Sequence, residues 1–235
     1  MGRSKRFAIV GAGIGGLSLA IALQRKGFEV TVYESAPEIK PLGAGLALAV
    51  NAVKAFIEIG ISEDVLKAGS ILKKLTIKDD LGNVLAQTDS EIISKKYNVV
   101  GNFTIHRADL HDVLLRHLAT GRLQVGKLCV DFIQTPSDVK LIFQDGTSAR
   151  ADYVIACDGV HSVIRKKLIP ESIPRYAGYT CWRAVINNPP ESVDFNETSE
   201  TWGPGARFGI APLNNNRLYW FACINAPAND PVMRV

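Results

Sequence analysis

Apolar residues recur along the chain in short runs that glycines and polar positions separate. The first run, residues 7–10, is continuous, as expected for a strand that is buried on both faces of a parallel sheet. A glycine-rich stretch follows, and the run at 17–23 has helical density and stops at a lysine and a glycine, residues 26–27. Residues 29–34 predict a second strand. This order of strand, loop, helix and strand predicts a parallel α/β unit.

The loop between the first strand and the helix has the glycine spacing of a nucleotide-binding turn. Gly11 permits the tight turn, Gly13 lets the backbone approach a pyrophosphate, and Gly16 lets the helix pack close to the strand. Gly15 belongs to the same loop and is a further candidate cofactor-binding residue. Glu34, at the end of the second strand, is placed to accept hydrogen bonds from ribose hydroxyls. A carboxylate there disfavours a 2′-phosphate, so the motif predicts FAD or NAD and not NADP.

The next part of the chain departs from a doubly wound dehydrogenase, which would continue with further strand–helix units. Residues 51–59 predict a helix, and Ser62 is placed to cap a short one that ends at residue 68. Residues 72–78 and 84–87 predict a hairpin. The pattern therefore predicts antiparallel structure inserted into a nucleotide-binding fold.

A helix predicted to start at His106 restores the helical periodicity, and Arg107 lies at its beginning. A cation there is unfavourable for the helix dipole, so Arg107 is either solvated or placed to meet a bound anion. Residues 127–151 then alternate as an antiparallel meander, and residues 153–156 predict a strand of the parallel sheet.

The stretch after that strand carries a second set of polar residues. Asp158 and Gly159 follow its carboxyl end, where open α/β sheets bind ligands. Ser162 is placed to cap a short helix, and Arg165 lies in the first turn of that helix. A structural turn explains Gly159 and Ser162, but it does not explain the aspartate and the arginine.

Composition and charge exclude several classes of protein. The chain has 235 residues, of which 47% are hydrophobic and 21% are charged, as in ordinary globular proteins. A net charge of +4 does not indicate a nucleic-acid partner. The four cysteines form no C-x-x-C motif, and with the four histidines they show no metal-binding spacing, so neither a metal site nor a redox dithiol is predicted. The apolar stretch near the N-terminus is too short and too rich in glycine for a membrane span or a signal peptide, which favours a cytoplasmic protein with no integral membrane segment.

These motifs together resemble the FAD-dependent aromatic-ring monooxygenases of the para-hydroxybenzoate hydroxylase family, over essentially the whole chain. The glycine loop with Glu34 matches the FAD fingerprint of that family. Arg107 matches the arginine that contacts the flavin nucleotide, and Asp158, Gly159 and Arg165 match the Asp-Gly motif assigned to FAD and NAD(P)H. Within that family, the chain most resembles the urate, salicylate and 6-hydroxynicotinate hydroxylases.

The resemblance implies an FAD-binding Rossmann-type domain of the glutathione-reductase kind, with an inserted, mostly antiparallel β substrate domain. The expected bounds are 1–70 and 101–173 for the FAD-binding domain, and 71–100 and 174–235 for part of the substrate domain. The implied reaction is the hydroxylation of a small aromatic or heteroaromatic substrate, with NAD(P)H and O2, through a flavin C4a-hydroperoxide. FAD is the bound cofactor and NAD(P)H the transient co-substrate. The oligomeric state is left open, with a homodimer as one alternative.

Two departures from the family pattern qualify this expectation. Val50 stands where the family often has a proline, and the third family motif, which holds the ribityl chain, is absent. The chain therefore resembles an N-terminal, C-terminally truncated part, which alone is expected to be inactive. An NAD-binding dehydrogenase and a non-catalytic nucleotide-binding fragment remain alternatives.

No catalytic base can be named from the sequence, and the flavin chemistry does not require one. Candidate substrate-binding residues lie on predicted strands of the second domain, where an arginine could pair with a substrate carboxylate or an acidic heterocycle. The alternative for each of them, favoured at any single position, is an ordinary sheet residue that faces solvent or packs in the core. These candidates are Trp182, Arg183, Arg207 and Tyr219.

Overall fold

The structure is a computed structural model that describes residues 4–228. Within these residues the helices are α1 (Ile14–Arg25), α2 (Val50–Glu58), α3 (Ser62–Ala68), α4 (Ser90–Tyr97), α5 (Arg107–His117) and α6 (Val163–Leu168). None of these helices has both the length and the apolar character needed to cross a membrane.

Strands make up most of the remaining regular structure in residues 4–228. They are β1 (Arg6–Val10), β2 (Glu29–Tyr33), β3 (Gly45–Leu48), β4 (Ser70–Leu72), β5 (Lys74–Asp79), β6 (Val84–Asp89), β7 (Asn102–His106), β8 (Leu123–Gln124), β9 (Cys129–Gln134), β10 (Val139–Phe143), β11 (Ser148–Ala151), β12 (Tyr153–Ala156), β13 (Tyr179–Asn187), β14 (Glu197–Gly203), β15 (Ala206–Leu213) and β16 (Arg217–Asn225).

The described residues form two compact units. One contains residues 4–41 and 111–175, and the other contains 42–110 and 176–228. The second unit is therefore built partly from a segment inserted between the two halves of the first. This arrangement confirms the predicted α/β class with an inserted, mostly antiparallel domain.

The first unit is built on a parallel sheet with the strand order β12-β1-β2-β8. Phe7 of β1 lies between Tyr153 of β12 and Val30 of β2 in the register. The predicted strands at 7–10, 29–34 and 153–156 are thus confirmed as parallel neighbours. Helix α1 packs against β1 and β2.

An antiparallel sheet, β11-β10-β9, completes the first unit and confirms the predicted meander. Its apolar side chains join those of β1, β2 and α6 in one core, because alternate residues of each strand face the same side. The buried members of this core are Ala8, Val10, Tyr33, Cys129, Phe132, Leu141, Phe143, Ala151 and Ile164.

The second unit contains a six-stranded sheet in the order β13-β16-β15-β14-β5-β6. The predicted hairpin is present as the antiparallel pair β5 and β6. Neighbouring strands in this sheet are antiparallel except for β14 and β5, which are parallel. The strand predicted at 72–78 is divided at Lys73, so that β4 enters a different sheet.

That smaller sheet has the order β3-β7-β4 and belongs to the second unit. Thr104 of β7 donates a buried hydrogen bond of 2.5 Å to the carbonyl of Pro212 on β15. Ser70 similarly contacts Asn214 at 3.0 Å. These bonds connect the segments 42–70 and 101–110 to the second unit, whereas the sequence assigned them to the FAD-binding domain. The domain bounds of the whole protein remain a prediction.

Two local features differ from the sequence expectation. The sequence analysis does not predict helix α4, which the Asp89 carboxylate caps by accepting from the backbone N–H groups of Glu91 and Ile92. Ser62 was predicted to cap α3, but Ile61 occupies the N-cap position and Ser62 is the first helical residue. A serine therefore marks this helix start without capping it.

Candidate functional site

The glycine loop between β1 and α1 is closed so tightly that two of its positions exclude any side chain. Gly11 has φ +103°, and a Cβ there would lie 2.2 Å from the carbonyl oxygen of Cys157. A Cβ at Gly16 would lie 2.0 Å from the carbonyl oxygen of Gly11. Gly13 and Gly15, in contrast, have open space around the position of a Cβ. The loop therefore packs closely on one side and leaves its other side free.

That free side is the N-terminus of α1, a helix of twelve residues. Its N-cap residue is Gly13, which has no side chain to satisfy the first N–H groups, and the first turn contains no acidic residue. Unsatisfied N–H groups and the positive end of the helix dipole attract an anion such as a pyrophosphate. The geometry agrees with the role that the sequence predicts for the loop.

Glu34 lies beside the loop and fixes it by hydrogen bonds. Its Oε2 accepts from the backbone N–H of Ala12 at 2.8 Å, and its Oε1 accepts from the N–H of Ala36 at 2.9 Å and from the Ser35 hydroxyl at 3.0 Å. Burial alone would raise the pKa of Glu34, but these hydrogen bonds outweigh it and lower the pKa below its ordinary value. Glu34 is thus held as a carboxylate at the edge of the loop.

His111 fixes the opposite side of the same peptide. Its Nε2 lies 2.6 Å from the carbonyl oxygen of Ala12, and the side chain is buried. Since a carbonyl only accepts, Nε2 donates this bond. A single histidine on a helix carries no local signal of such a contact, so the sequence by itself assigns no role to His111.

The second wall of the site follows β12. The Asp158 Oδ2 accepts from the backbone N–H of Val163 at 3.0 Å, and the Ser162 hydroxyl accepts from the N–H of Arg165 at 2.9 Å. Both side chains therefore cap α6, which confirms the predicted cap at Ser162. The Asp158 Oδ1 is buried and has no hydrogen-bond partner among the described residues. A buried acceptor of this kind is costly unless a ligand or water satisfies it.

These elements enclose a cleft of about 370 Å³ within the first unit. Of the predicted cofactor-binding residues, the cleft brings together Gly11, Gly13, Glu34, Asp158 and Gly159. Gly15 and Gly16 lie in the first turn of α1 and do not line the cleft. Its other lining residues are Val10, Tyr33, Ser35, Lys127, Leu128, Cys129, Cys157, His161 and Val163.

Lys127 is the cation of this cleft that the sequence analysis missed. Its Nζ donates to Asp145 at 2.6 Å and to Thr147 at 2.9 Å. This contact, with further hydrogen bonds from Thr147, lowers the pKa of Asp145 to about 2. Lys127 precedes β9 in a loop, where no local pattern distinguishes it from an ordinary solvated lysine.

Arg165 and Arg107 lie outside this cleft. Arg165 donates to the carbonyl of Val160 and lines a neighbouring cavity of about 460 Å³ in the first unit. Its Nε is buried without a partner among residues 4–228. Arg107 belongs to the second unit, where its Nη1 donates to the carbonyl of Leu42 at 2.8 Å. Their roles toward a nucleotide remain predictions.

The candidate substrate-binding residues divide between the two faces of the six-stranded sheet. In the strand register, Cys223 is the partner of both Cys181 and Arg207. Register partners project to the same face of a sheet, and so do residues two positions apart on one strand. Arg183, Arg207 and Tyr219 therefore lie on one face of this sheet. Trp182 lies on the opposite face, so it cannot share a site with the other three.

Arg207 is already held by neighbours on its own face. Its Nη1 donates to Glu200 at 2.9 Å, and its guanidinium lies 5.8 Å from the ring centre of Tyr179 and 5.9 Å from that of Phe221. It lines a cavity of about 290 Å³ together with Tyr179 and Trp202. The arrangement offers an aromatic recess in which the charge of Arg207 is paired with that of Glu200.

Comparison with known proteins finds a matching family and several relatives. A family model described as FAD binding domain matches residues 5–231. The aurachin C monooxygenase/isomerase of Stigmatella aurantiaca is 37% identical over 221 residues, which are 93% of this chain and 57% of the relative. The 6-hydroxynicotinate 3-monooxygenase of Pseudomonas fluorescens is 37% identical over 190 residues, which are 80% of this chain and 49% of the relative.

A solved structure shows the same fold. Klebsiella pneumoniae HpxO, in complex with FAD and uric acid, is 28% identical and superposes with a TM-score of 0.84 over 96% of this chain and 58% of that one. The chain thus spans between 49% and 58% of the length of these three proteins. The family match favours a flavoprotein over an NAD-binding dehydrogenase. The chain belongs to the FAD binding domain family, and the relatives that it resembles are flavin-dependent aromatic-ring monooxygenases.

Proposed function

We propose that the whole protein is a monooxygenase that uses FAD, NAD(P)H and O2 to hydroxylate a small aromatic or heteroaromatic substrate. The observation that carries this proposal is the cleft formed by the glycine loop, Glu34 and Asp158. The family membership and the names of the relatives support the proposed class of reaction. The described units would provide the nucleotide site and part of the substrate sheet.

The residues of the cleft fit FAD. The open side of Gly13 and the N-terminus of α1 would hold the pyrophosphate, and Glu34 would bind the adenosine ribose. The unpartnered Oδ1 of Asp158 would accept a hydrogen bond from a hydroxyl group of the cofactor. By resemblance to the family, Arg107 and Arg165 are further candidates for contacts with a nucleotide.

Bound FAD would supply the redox chemistry, taking a hydride from NAD(P)H and passing one oxygen atom from O2 to the substrate. The residues of this chain would bind and orient. Glu34 and His111 keep the loop in one conformation through the Ala12 peptide, so the cofactor meets a preformed site. No side chain of this chain is required to move a proton in this scheme.

The substrate sheet suggests the chemistry of the substrate. Arg183, Arg207 and Tyr219 share one face, where a guanidinium could pair with a carboxylate or an acidic heterocycle. HpxO was solved with uric acid, and one relative is named for 6-hydroxynicotinate. We therefore propose an acidic aromatic or N-heteroaromatic substrate.

Two measurements test the proposal at separate levels. FAD titrated into the purified protein should show quenched flavin fluorescence, and the protein should stay yellow after free FAD is removed by gel filtration, whereas an NAD-binding protein would be colourless after the same step. With the longest natural chain, each acidic aromatic compound is then assayed for NAD(P)H oxidation and for a product that has gained one oxygen atom. Absence of FAD binding would overturn the cofactor assignment. FAD binding without an oxygenated product from any such compound would overturn only the reaction.

A further inference from the structure

Two cysteines that are distant in sequence face each other across the six-stranded sheet. Cys181 of β13 is the register partner of Cys223 of β16, in an antiparallel pair that runs from Tyr179 to Asn187. Directly opposed residues of an antiparallel pair project to the same face of the sheet. Spacing along the chain predicts no redox dithiol, and only the strand pairing brings these two thiols together.

The backbone geometry of such a pair matches that of a disulfide. Opposed residues in antiparallel strands have Cα atoms about 4.5–5.5 Å apart. Disulfides join Cα atoms about 4.4–6.8 Å apart. Cys181 and Cys223 are both free thiols in this structure. The Cα separation typical of such a pair therefore falls within the range that a disulfide spans.

The two thiols differ in access, as a reacting and a resolving cysteine would. Cys181 lies on β13, at the edge of the sheet, and is exposed. Cys223 is 7% exposed and lines the cavity of about 290 Å³ that also contains Arg207. A small oxidant would therefore meet Cys181 first. Cys223 is placed beside it to complete the bond.

The surroundings set the rate at which Cys181 reacts. Partial desolvation of the Cys181 thiol and the neighbouring Cys223 raise the pKa of this thiol, although the residue as a whole is exposed, and the positive charges of Arg183 and Arg207 oppose this only in part. Only a small fraction of Cys181 is thus a thiolate near neutral pH. Since the thiolate is the nucleophile, the reaction should be slow and should accelerate with rising pH.

We propose that Cys181 and Cys223 form a modification site at which a peroxide produces a reversible disulfide between β13 and β16. The Cys181 thiolate attacks hydrogen peroxide, giving a sulfenic acid and hydroxide. The Cys223 thiol then attacks that sulfur, the new S–S bond forms, and water leaves. In total, two thiols and one peroxide give one disulfide and two waters. The cross-link lies on the face that carries Arg183, Arg207 and Tyr219.

The test is peptide mapping of the full chain after treatment with hydrogen peroxide. Trypsin cleaves after Arg175, Arg183, Arg217 and Arg234, so the two cysteines fall in the separate peptides 176–183 and 218–234. We expect these peptides to be joined after oxidation, and dithiothreitol to release them. The rate of joining should rise about tenfold per pH unit below the raised pKa of Cys181. The cross-linked protein should also have a higher Tm than the reduced protein, because the bond closes a loop of about 40 residues in the unfolded chain.

Variants separate this site from the other cysteines. Cys181→Ser should abolish the linked peptide, and Cys129→Ala combined with Cys157→Ala should leave it unchanged. The wild-type map decides the question even if a variant does not fold. The proposal is overturned if peroxide leaves Cys181 and Cys223 unlinked, if they are oxidised irreversibly, or if either pairs with another cysteine or a second chain.

Discussion

One peptide group, that of Ala12, connects the nucleotide loop to its surroundings at the scale of single residues. Its N–H donates to Glu34 and its carbonyl accepts from His111. The loop is thereby fixed from two sides before any ligand is present. A preformed site spends less binding free energy on ordering itself. Two single-residue predictions follow from these two bonds.

The first concerns the charge of Glu34. Glu34→Gln keeps the size of the side chain but removes the charged acceptor, and hydrogen bonds to charged groups contribute about 1.5–3 kcal/mol each. We expect FAD affinity to fall about 10- to 100-fold, as measured by quenching of flavin fluorescence. Glu38→Gln is the matched control, because Glu38 is exposed and pairs only with Lys40 among the contacts described, at 2.9 Å. Equal affinity of Glu34→Gln and the wild type would remove Glu34 from the site.

The same residue gives a pH dependence. The pKa of Glu34 is lowered from its ordinary value of 4.5, so its carboxylate stabilises the folded state above pH 4.5. This contribution disappears as the pH falls through the lowered pKa. In urea denaturation, the difference in free energy of unfolding between wild type and Glu34→Gln should be constant above pH 5 and should decrease below 4.5. A difference that grows on acidification would contradict this assignment.

The second single-residue prediction concerns the donor on His111. Leaving the Ala12 carbonyl without its partner costs about 1–3 kcal/mol, which we expect as the loss of unfolding free energy in His111→Leu. His111→Gln, which can place a donor near the former Nε2, should lose less. Arg116→Gln on the same helix is the control, since Arg116 is exposed and forms only a surface pair with Asp112 among its described contacts. Equal losses in the Leu and Gln variants would show that packing, not the hydrogen bond, is responsible.

At the scale of elements, the approach of α1 to β1 depends on the absence of one Cβ atom. A methyl group at Gly16 would overlap the carbonyl of Gly11, whereas one at Gly15 would meet nothing within 4 Å. Gly16→Ala should therefore destabilise the fold by about 1–3 kcal/mol or more. Gly15→Ala should leave stability unchanged or raise it by about 0.5–1 kcal/mol, because alanine favours the helix. Urea denaturation of both variants measures the contrast, and similar losses would refute the close approach.

Two residues cap the short helix α6, and we expect one of them to be structural and the other to contact a ligand as well. Ser162 and Asp158 both accept hydrogen bonds from its first turn, but only Asp158 has a second, unpartnered oxygen. Ser162→Ala should cost about 1 kcal/mol of stability, as measured by thermal denaturation. Asp158→Asn keeps an acceptor for Val163 and should retain most of that stability, while FAD affinity falls. If Asp158→Asn lost stability and kept its FAD affinity, the role of Asp158 would be purely structural.

At the scale of the whole molecule, the nucleotide cleft belongs to one compact unit. Bound FAD should stabilise the segments that line it, because a ligand that binds only the folded state suppresses local opening. We expect hydrogen exchange to slow most in segments 9–17 and 155–165 when FAD is added. Strand β6 is exposed at the edge of its sheet and serves as an internal control with unchanged exchange. Protection that appears only in the second unit would place the cofactor elsewhere.

The sequence alone predicted the parts of the protein that depend on local conformation. Gly11 and Gly16 are required by a positive φ and by a missing Cβ, and both requirements follow from the turn between a strand and a helix. Glu34 likewise lies at a fixed sequence position at the end of a strand, and Ser162 at the start of a helix. Apolar periodicity added the strands of the parallel sheet and the meander. Such features are encoded within a few residues of each other, so they can be interpreted without the fold.

Only the tertiary structure decided which distant residues meet. The contact of His111 with the loop, the position of Lys127 in the cleft, and the pairing of Cys181 with Cys223 join segments far apart in the chain. The separation of Trp182 from the other substrate candidates depends on strand register, which a shift of one residue would reverse. Register and packing are set by the free energy of the whole fold and not by any single segment. The sequence therefore determined the nucleotide-binding motif, and the fold determined the residues that surround it.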